Sequence, residues 1–536
     1  MGAVVLSTAA WWLARNDLPD GYQNEFIHLY TLVEIFFRWR DDGLGEAWPF
    51  LWDEYYPPLL HLPGLVGLAT GGVSKAVATL SLGAMVLPLL VATGLLGRRV
   101  GGAWVGAWAV TVVAFAPAIF GNVRRYEPNI ALAAWVALAL WWLARDGLFD
   151  RRRAVIFGLL CGAGLLVDRL VFGVYLAAPV MVLAWRHRRW RAWGWAAGTT
   201  LFVTAYYYAR FLVLHLDEIT SQLGGEITAQ GEESGAFGLL SLRGLLYYPL
   251  AWVDGSLGLI PSLIVFGGLG LWVARARREV DPELRTVLES TLVFGGLLFT
   301  VVAKKQPYYA IPLIAPAAVC AVAGWACLVR DDARSRAAVL VAISLIGANQ
   351  LVFLSSGAGL IPMPGRWAVL GGASPLPDGY LGHEYVMAGP PFEQDLNLPR
   401  AAQLCREAGG PAASTLLFSE GHAAYEGQVM PTLRLELGTR RVPGMLMEPQ
   451  AWEESAVHAR CFVYVARGPG RDWPTRETIT RTLEQWSYDP PSDGLLGALE
   501  SVRGRANLLG TWTSDVGEIV HVYALGPGSD THQLAP

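Results

Sequence analysis

Apolar stretches separated by charged punctuation run from residue 1 to about 354, and a mixed polar and apolar text follows. The stretches predict spans at 1–14, 76–97, 101–120, 130–144, 154–167, 170–185, 193–213, 256–274, 286–303, 309–328 and 337–354. A bilayer crossing takes about 20 mostly apolar helical residues. Several spans are therefore short, and 154–167 reads as a half-helix paired with its neighbour. The first span starts at the initiator Met without a basic flank or a convincing cleavage site, so it reads as a true helix and not a signal peptide. Beyond 355 the pattern alternates: strands at 415–418, 461–465 and 519–524, helices at 425–437 and 478–486. That is the signature of a small α/β domain. The expected architecture is a polytopic α-helical membrane protein with about eleven transmembrane helices in 1–354, a linker at 355–372 and an α/β domain at 373–536.

Lys and Arg are unevenly shared among the loops. One alternating set (98–100, 145–153, 186–192, 275–285, 329–336) holds 17 in 38 residues. The other (15–75, 121–129, 168–169, 214–255, 304–308) holds 10 in 119. Basic loops stay on the cytoplasmic side. The N-terminus is therefore expected inside, and the long loops and the C-terminal domain outside.

Composition narrows the class further. Only 16% of residues are charged, 53% are hydrophobic, and there are 22 tryptophans; mean hydropathy is +0.36. A soluble domain carries roughly 25% charged residues, so a disordered chain, a fibrous chain and an ordinary cytosolic enzyme are excluded. A net charge of −4 gives no support to a nucleic-acid partner. Cys161, Cys320 and Cys327 sit in apolar segments, whereas Cys405 and Cys461 lie in the polar part and would pair in an oxidising compartment.

The unusual chemistry collects in the outer set. Loop 15–75 is too long for a connector and carries nine carboxylates, Glu25, Glu34 and Asp20 among them. Phe26, Leu29, Val33, Phe36 and Phe37 fall at helical spacing and predict a helix along the membrane surface. A second long loop, 214–255, is also acidic. Arg124, Arg125, Lys304 and Lys305 stand beside apolar spans on the face that basic residues avoid, which points to an anionic partner or to snorkelling toward lipid head groups.

Four outer motifs then occur in a fixed order: Asp20 to His28 (DGYQNEFIH), Tyr55 to Leu59 (YYPPL), Arg124 to Asn129 (RRYEPN) and Lys304 to Leu313 (KKQPYYAIPL). This series resembles the GT-C superfamily of integral-membrane glycosyltransferases, in particular the protein O-mannosyltransferase and aminoarabinose-transferase (family 39-like) branch. The resemblance covers about residues 1–330. Two departures stand out: Asn24-Glu25 where the family commonly has Asp-Glu, and Lys304-Lys305-Gln306-Pro307-Tyr308 where it has a K-x-R-Y pattern.

The resemblance implies transfer of a sugar, with inversion, from a polyprenyl-phosphate donor to a lipid, glycan or protein acceptor on the outer face of the cytoplasmic membrane. It makes Asp20 and Glu25 alternative bases with Glu127 as a second acid, and Arg124, Arg125, Lys304, Lys305 and Arg169 the donor-phosphate ligands. Asp20 is favoured, as a short side chain held at a turn by Pro19 and Gly21. Tyr55, Tyr56, Pro57, Pro58 and Tyr308 would shape the cavity. The bland reading makes Asp41, Asp42 and Asp53 solvated surface charge, and pairs Arg169 with the adjacent Asp168. A divalent metal at the outer loop would use His28 or His61, though a lone histidine is usually structural. The α/β domain reads as an accessory that positions an acceptor or partner. A transporter or flippase of a lipid-linked anion is the competing class, and a non-catalytic polyprenyl-glycan-binding relative is the third. A transporter places ionisable groups near the midplane, and here they gather at one face.

Overall fold

The computed structural model describes residues 1–16, 25–145, 150–216, 242–301, 307–329, 332–356, 396–409, 414–420, 423–446, 448–467, 472–484, 491–514 and 518–527. From residue 357 on, the expected linker lies outside them, as do Asp20, Lys304 and Lys305. The chain forms two compact units: Met1–Trp12 with Pro49–Pro63 and Thr79–Pro390, and Leu13–Trp48 with Gly64–Ala78 and Pro391–Pro536.

The first unit is helical. Among the described residues, Lys75–Ala114, Pro282–Val301, Tyr308–Ala326 and Ala333–Ser356 are long and apolar enough to cross a membrane. Gly2–Leu13, Pro128–Leu143, Val171–His187 and Leu259–Ala274 are shorter apolar helices. Lys75–Ala114 is not one rod. Its backbone leaves helical geometry at Gly101 and Gly102, where φ of Gly102 is +85°. The two arms then run back against each other so closely that a Cβ on Gly97 would stand 2.8 Å from the Gly106 Cα. The expected break between 76–97 and 101–120 is this glycine hairpin.

Lipid tails are as apolar as leucine, so packing and close backbone approach, not hydrophobicity, hold such helices together. Gly268 and Gly324 supply the second seam: a Cβ on either would run into the backbone of the facing helix. Pro128–Leu143 and Ile311–Ala326 are apolar all round and buried on nearly every side, as the helices at the centre of a bundle must be. By contrast Phe202, Val213 and Trp185 are at least 71% exposed, the pattern of a face turned to lipid. The segment expected as a half-helix at 154–167 is instead an 18-residue helix, Arg151–Asp168. Its three leading arginines hide one turn of it from a hydropathy reading. Thr200 Oγ1 donates to the Gly158 carbonyl and ties it to helix Trp190–Leu214.

The second unit contains a four-stranded sheet: β1 (Thr415–Ser419), β2 (Cys461–Arg467), β3 (Ala506–Thr513) and β4 (Glu518–Leu525), in the order β1-β2-β4-β3. β1 and β2 are parallel and the other pairs antiparallel. Period-two alternation splits the core. Leu417, Val463, Val465 and Val522 face one cluster, and Leu416, Phe418, Phe462 and Tyr523 the other. Sequence pattern missed β3, an edge strand with a bulge between Leu508 and Gly510, because the bulge breaks its alternation. Cys405 and Cys461 form a disulfide that ties helix Leu398–Gly409 to β2.

Helix Glu25–Asp41 belongs to this unit. The apolar face that the spacing assigned to a membrane surface is taken up by protein: Leu29, Val33 and Phe37 are fully buried, and Phe26 packs on Gly427 of helix Ala423–Leu437. Asp42 is not free surface charge either, since it pairs with Arg440 at 2.7 Å.

Candidate functional site

In the first unit the buried polar groups concentrate between helices Pro117–Asn122 and Pro128–Leu143. Pro128 opens the second helix, and its ring drives the preceding Glu127 into extended backbone (φ −133°, ψ 155°). Asn122, Arg124, Arg125, Glu127 and Asn129 are all buried. Asn129 Nδ2 donates to Glu127 Oε2 at 2.8 Å and to Asn122 Oδ1 at 2.9 Å. Arg125 Nη1 stands 3.9 Å from Glu127 Oε2. Arg124 Nη2 donates to Ser355 Oγ, and its guanidinium lies over the rings of Phe120 and Trp12 at 5.3 and 5.4 Å. Burial pulls Arg124 below the ordinary guanidinium value, to about 9, which leaves it cationic at neutral pH.

Four tyrosines and a second charged pair stand close to this segment. Tyr308 is near enough to interact electrostatically with Glu127, Tyr56 and Asp168. Arg169 holds a positive φ of 45° where Arg151–Asp168 ends, a conformation that costs a non-glycine residue of order 1 kcal/mol. Its guanidinium sits 4.0 Å over the Tyr55 ring and 4.7 Å over the Tyr56 ring. Tyr207 fixes Tyr55 by donating to its carbonyl at 2.8 Å. Pro57 and Pro58 are buried, and Pro58 starts helix Pro58–Gly71, where a proline's missing N–H costs nothing.

The profile of glycosyltransferase family 87 matches residues 55–301. Among solved structures, ArnT from Cupriavidus metallidurans bound to undecaprenyl phosphate is similar over 100% of this chain and 98% of its own, with 14% identity and a TM-score of 0.56. Apo ArnT from the same organism gives 13% identity and a TM-score of 0.54, over 97% and 96% of the two chains. The chain has the GT-C fold of membrane glycosyltransferases. The family-87 match covers just under half of the chain, and the ArnT likeness extends over all of it. No curated protein matches this chain by sequence.

Of the residues singled out from the sequence, the GT-C fold brings Arg125, Glu127, Tyr56 and Tyr308 into one neighbourhood, with Arg169 and Tyr55 beside them. Glu25 is the first residue of its helix and is buried, in the other unit. Asp20, Lys304 and Lys305 fall outside the described residues. Two bland readings, those of Asp53 and Arg169, need correction. Asp53 is no free surface carboxylate: it pairs with Arg210, and its carbonyl meets His215 Nε2 at 2.8 Å. Arg169 and Asp168 stay within electrostatic reach of each other but form no ion pair within 4 Å, because Arg169 turns onto the two tyrosines. His61 is fully buried against Tyr126, and among the described residues neither ring nitrogen has a hydrogen-bond partner. Burial pushes His61 down to about 3, so it stays neutral. Among the described residues no three His, Cys, Asp or Glu side chains gather as a metal site would require.

Sequence reasoning named Asp168 only as a partner for Arg169 and not as a site residue. It is 8% exposed, and among the described residues it accepts no hydrogen bond and has no cation within 4 Å. Tyr175, Tyr208 and Tyr308 all lie within electrostatic reach of it. A lone acid at the end of an apolar run (LLVD) was its only signal.

Proposed function

We propose that this protein transfers a sugar from a polyprenyl-phosphate donor to an acceptor hydroxyl at the outer face of the cytoplasmic membrane, with inversion at the anomeric carbon. The observation that carries the reading is the buried segment Arg124–Asn129, which sets two arginines and a carboxylate at the end of apolar helices in a GT-C fold. The neighbouring ArnT structure holds undecaprenyl phosphate, a donor chemistry for which guanidinium groups are suited by their planar, multiple N–H donors. In this reading Arg124, Arg125 and Arg169, with Lys304 and Lys305, hold the donor phosphate. Asp20 or Glu25 takes the proton of the acceptor hydroxyl. The hydroxyl oxygen bonds to the anomeric carbon as the carbon–oxygen bond to phosphate breaks on the opposite face. The electron pair leaves with the polyprenyl phosphate, whose growing charge the cations stabilise. Glu127 acts as the second acid, and Tyr55, Tyr56, Pro57, Pro58 and Tyr308 wall the cavity.

The outward placement of the C-terminal domain is part of the same proposal. The unequal share of basic residues supports it, and so does the Cys405–Cys461 disulfide, since such bonds persist in oxidising compartments. A transfer assay on Asp20→Asn and Glu25→Gln tests the reading. Removing the base is expected to cost turnover on the order of 10²–10⁴-fold while the donor still binds. Wild-type rates in both single variants and in the double variant would remove this loop from catalysis.

A further inference from the structure

Among the described residues Asp168 is a buried carboxylate that accepts no hydrogen bond, with Arg169 within electrostatic reach but not within 4 Å. Leaving an ionised acid that way is costly, so the position calls for a ligand. A carboxylate only accepts hydrogen bonds and repels phosphate, so what meets it must bring donors of its own, as a hydroxylated molecule does. The residue after it is the opposite. Arg169 presents a cation, held over Tyr55 and Tyr56 by its positive φ. Consecutive residues thus offer an anion site and a hydroxyl site, and that pair of demands describes a sugar joined to a phosphate. Tyr175, Tyr208 and Tyr308 lie within electrostatic reach of the carboxylate, and aromatic side chains suit the C–H surfaces of sugars while leaving their hydroxyls to polar groups.

We infer that Asp168 and the tyrosines about it form the subsite for the donor's sugar, with the carboxylate accepting hydrogen bonds from sugar hydroxyls while Arg169 holds the adjoining phosphate. The inference rests on the donor reading above and adds to it where the uncharged, hydroxylated end of the donor sits. It makes Asp168 a specificity residue that the bare lipid phosphate does not touch.

The test measures binding to the full-length protein in nanodiscs. The probes are undecaprenyl phosphate and its mannosyl, glucosyl and arabinofuranosyl derivatives, against wild type, Asp168→Asn and Asp168→Leu. Hydrogen bonds to a charged acceptor make a gain of about tenfold or more reasonable for the right sugar over the bare lipid. Both variants should bind undecaprenyl phosphate within twofold of wild type and lose most of that gain. Thermal stability should rise in both, since an unsatisfied buried charge has been removed; a merely structural acid would lower it. An equal fall in affinity for the bare lipid and the sugar lipids would make Asp168 a support for Arg169 and overturn the subsite. So would retention of the sugar-dependent gain in both variants, or a wild type that binds the bare lipid and gains from none of the sugars. A wild type that binds no undecaprenyl phosphate at all would instead overturn the donor reading itself.

Discussion

Two regions of this molecule bury arginine, and they do so in opposite ways. In the second unit Arg434 is closed in on every side. Its Nη1 lies 3.2 Å from Glu34 Oε2, its Nη2 2.8 Å from Glu448 Oε2, and its Nε donates to the Val442 carbonyl at 3.3 Å. Tyr30, whose ring lies beneath the guanidinium, donates its hydroxyl to Glu448 at 2.6 Å. Burial of Tyr30 and the neighbouring Glu448 push that phenol well above its ordinary value, against the pull of Arg434. Every strong group there has a partner, and the partners come from helix Glu25–Asp41 and from residues some 400 positions later. In the first unit Arg169 lies on tyrosine rings, and the acid beside it in sequence is left without a donor. Burial of charge by itself therefore does not mark a site. Unused hydrogen-bonding capacity on a buried charge is the sharper sign, because leaving it unmet is costly unless something else fills it.

The comparison can be broken at several points. The largest effect is expected from Arg434→Met, which strands Glu34 and Glu448 without their cation. Breaking a buried pair this way costs about 3–5 kcal/mol, so hydrogen exchange should show helix Glu25–Asp41 losing protection together with the sheet. Unchanged protection would mean that the network is ornamental. Arg125→Ala should behave in the opposite sense. Loss of one charge-assisted contact to phosphate, roughly 1.5–3 kcal/mol, should weaken donor binding by roughly 10- to 100-fold, with thermal stability lowered far less than in Arg434→Met. Equal losses of stability in the two variants would erase the distinction.

His61 gives a smaller, pH-dependent test. Its folded value of about 3 lies below the ordinary 6.5, so below 6.5 the unfolded chain binds the extra proton. Stability is complete above about pH 6.5 and falls as pH drops toward 3. At pH 5 the loss is about 2 kcal/mol. His61→Leu should flatten this part of the acid limb in a thermal-stability series, and an unchanged limb would assign it to other groups.

Much of this was legible in the chain. Arg124 and Arg125 stand out because two cations beside an apolar run on the disfavoured face have few innocent explanations, and the YYPPL motif points to Tyr55 and Tyr56. Asp168 was misread for a local reason: an acid followed by a base looks like a pair. Helix Glu25–Asp41 was misread for the same kind of reason, since its apolar stripe is real but periodicity does not say what covers a stripe.

The sequence by itself determined the apolar, helical character of the first 354 residues, a break near residue 100, three of the four strands, the uneven share of basic residues and the two cysteines that pair. Those are properties of composition and period within a dozen residues, and local physics settles them. Only the tertiary structure decided that Glu34 meets Arg434, that Asn129 links Asn122 to Glu127, and that Arg169 turns onto Tyr55 and gives Asp168 no hydrogen bond. Hydrogen-bond satisfaction depends on which distant segments arrive at a buried atom, and no window along the chain contains that information.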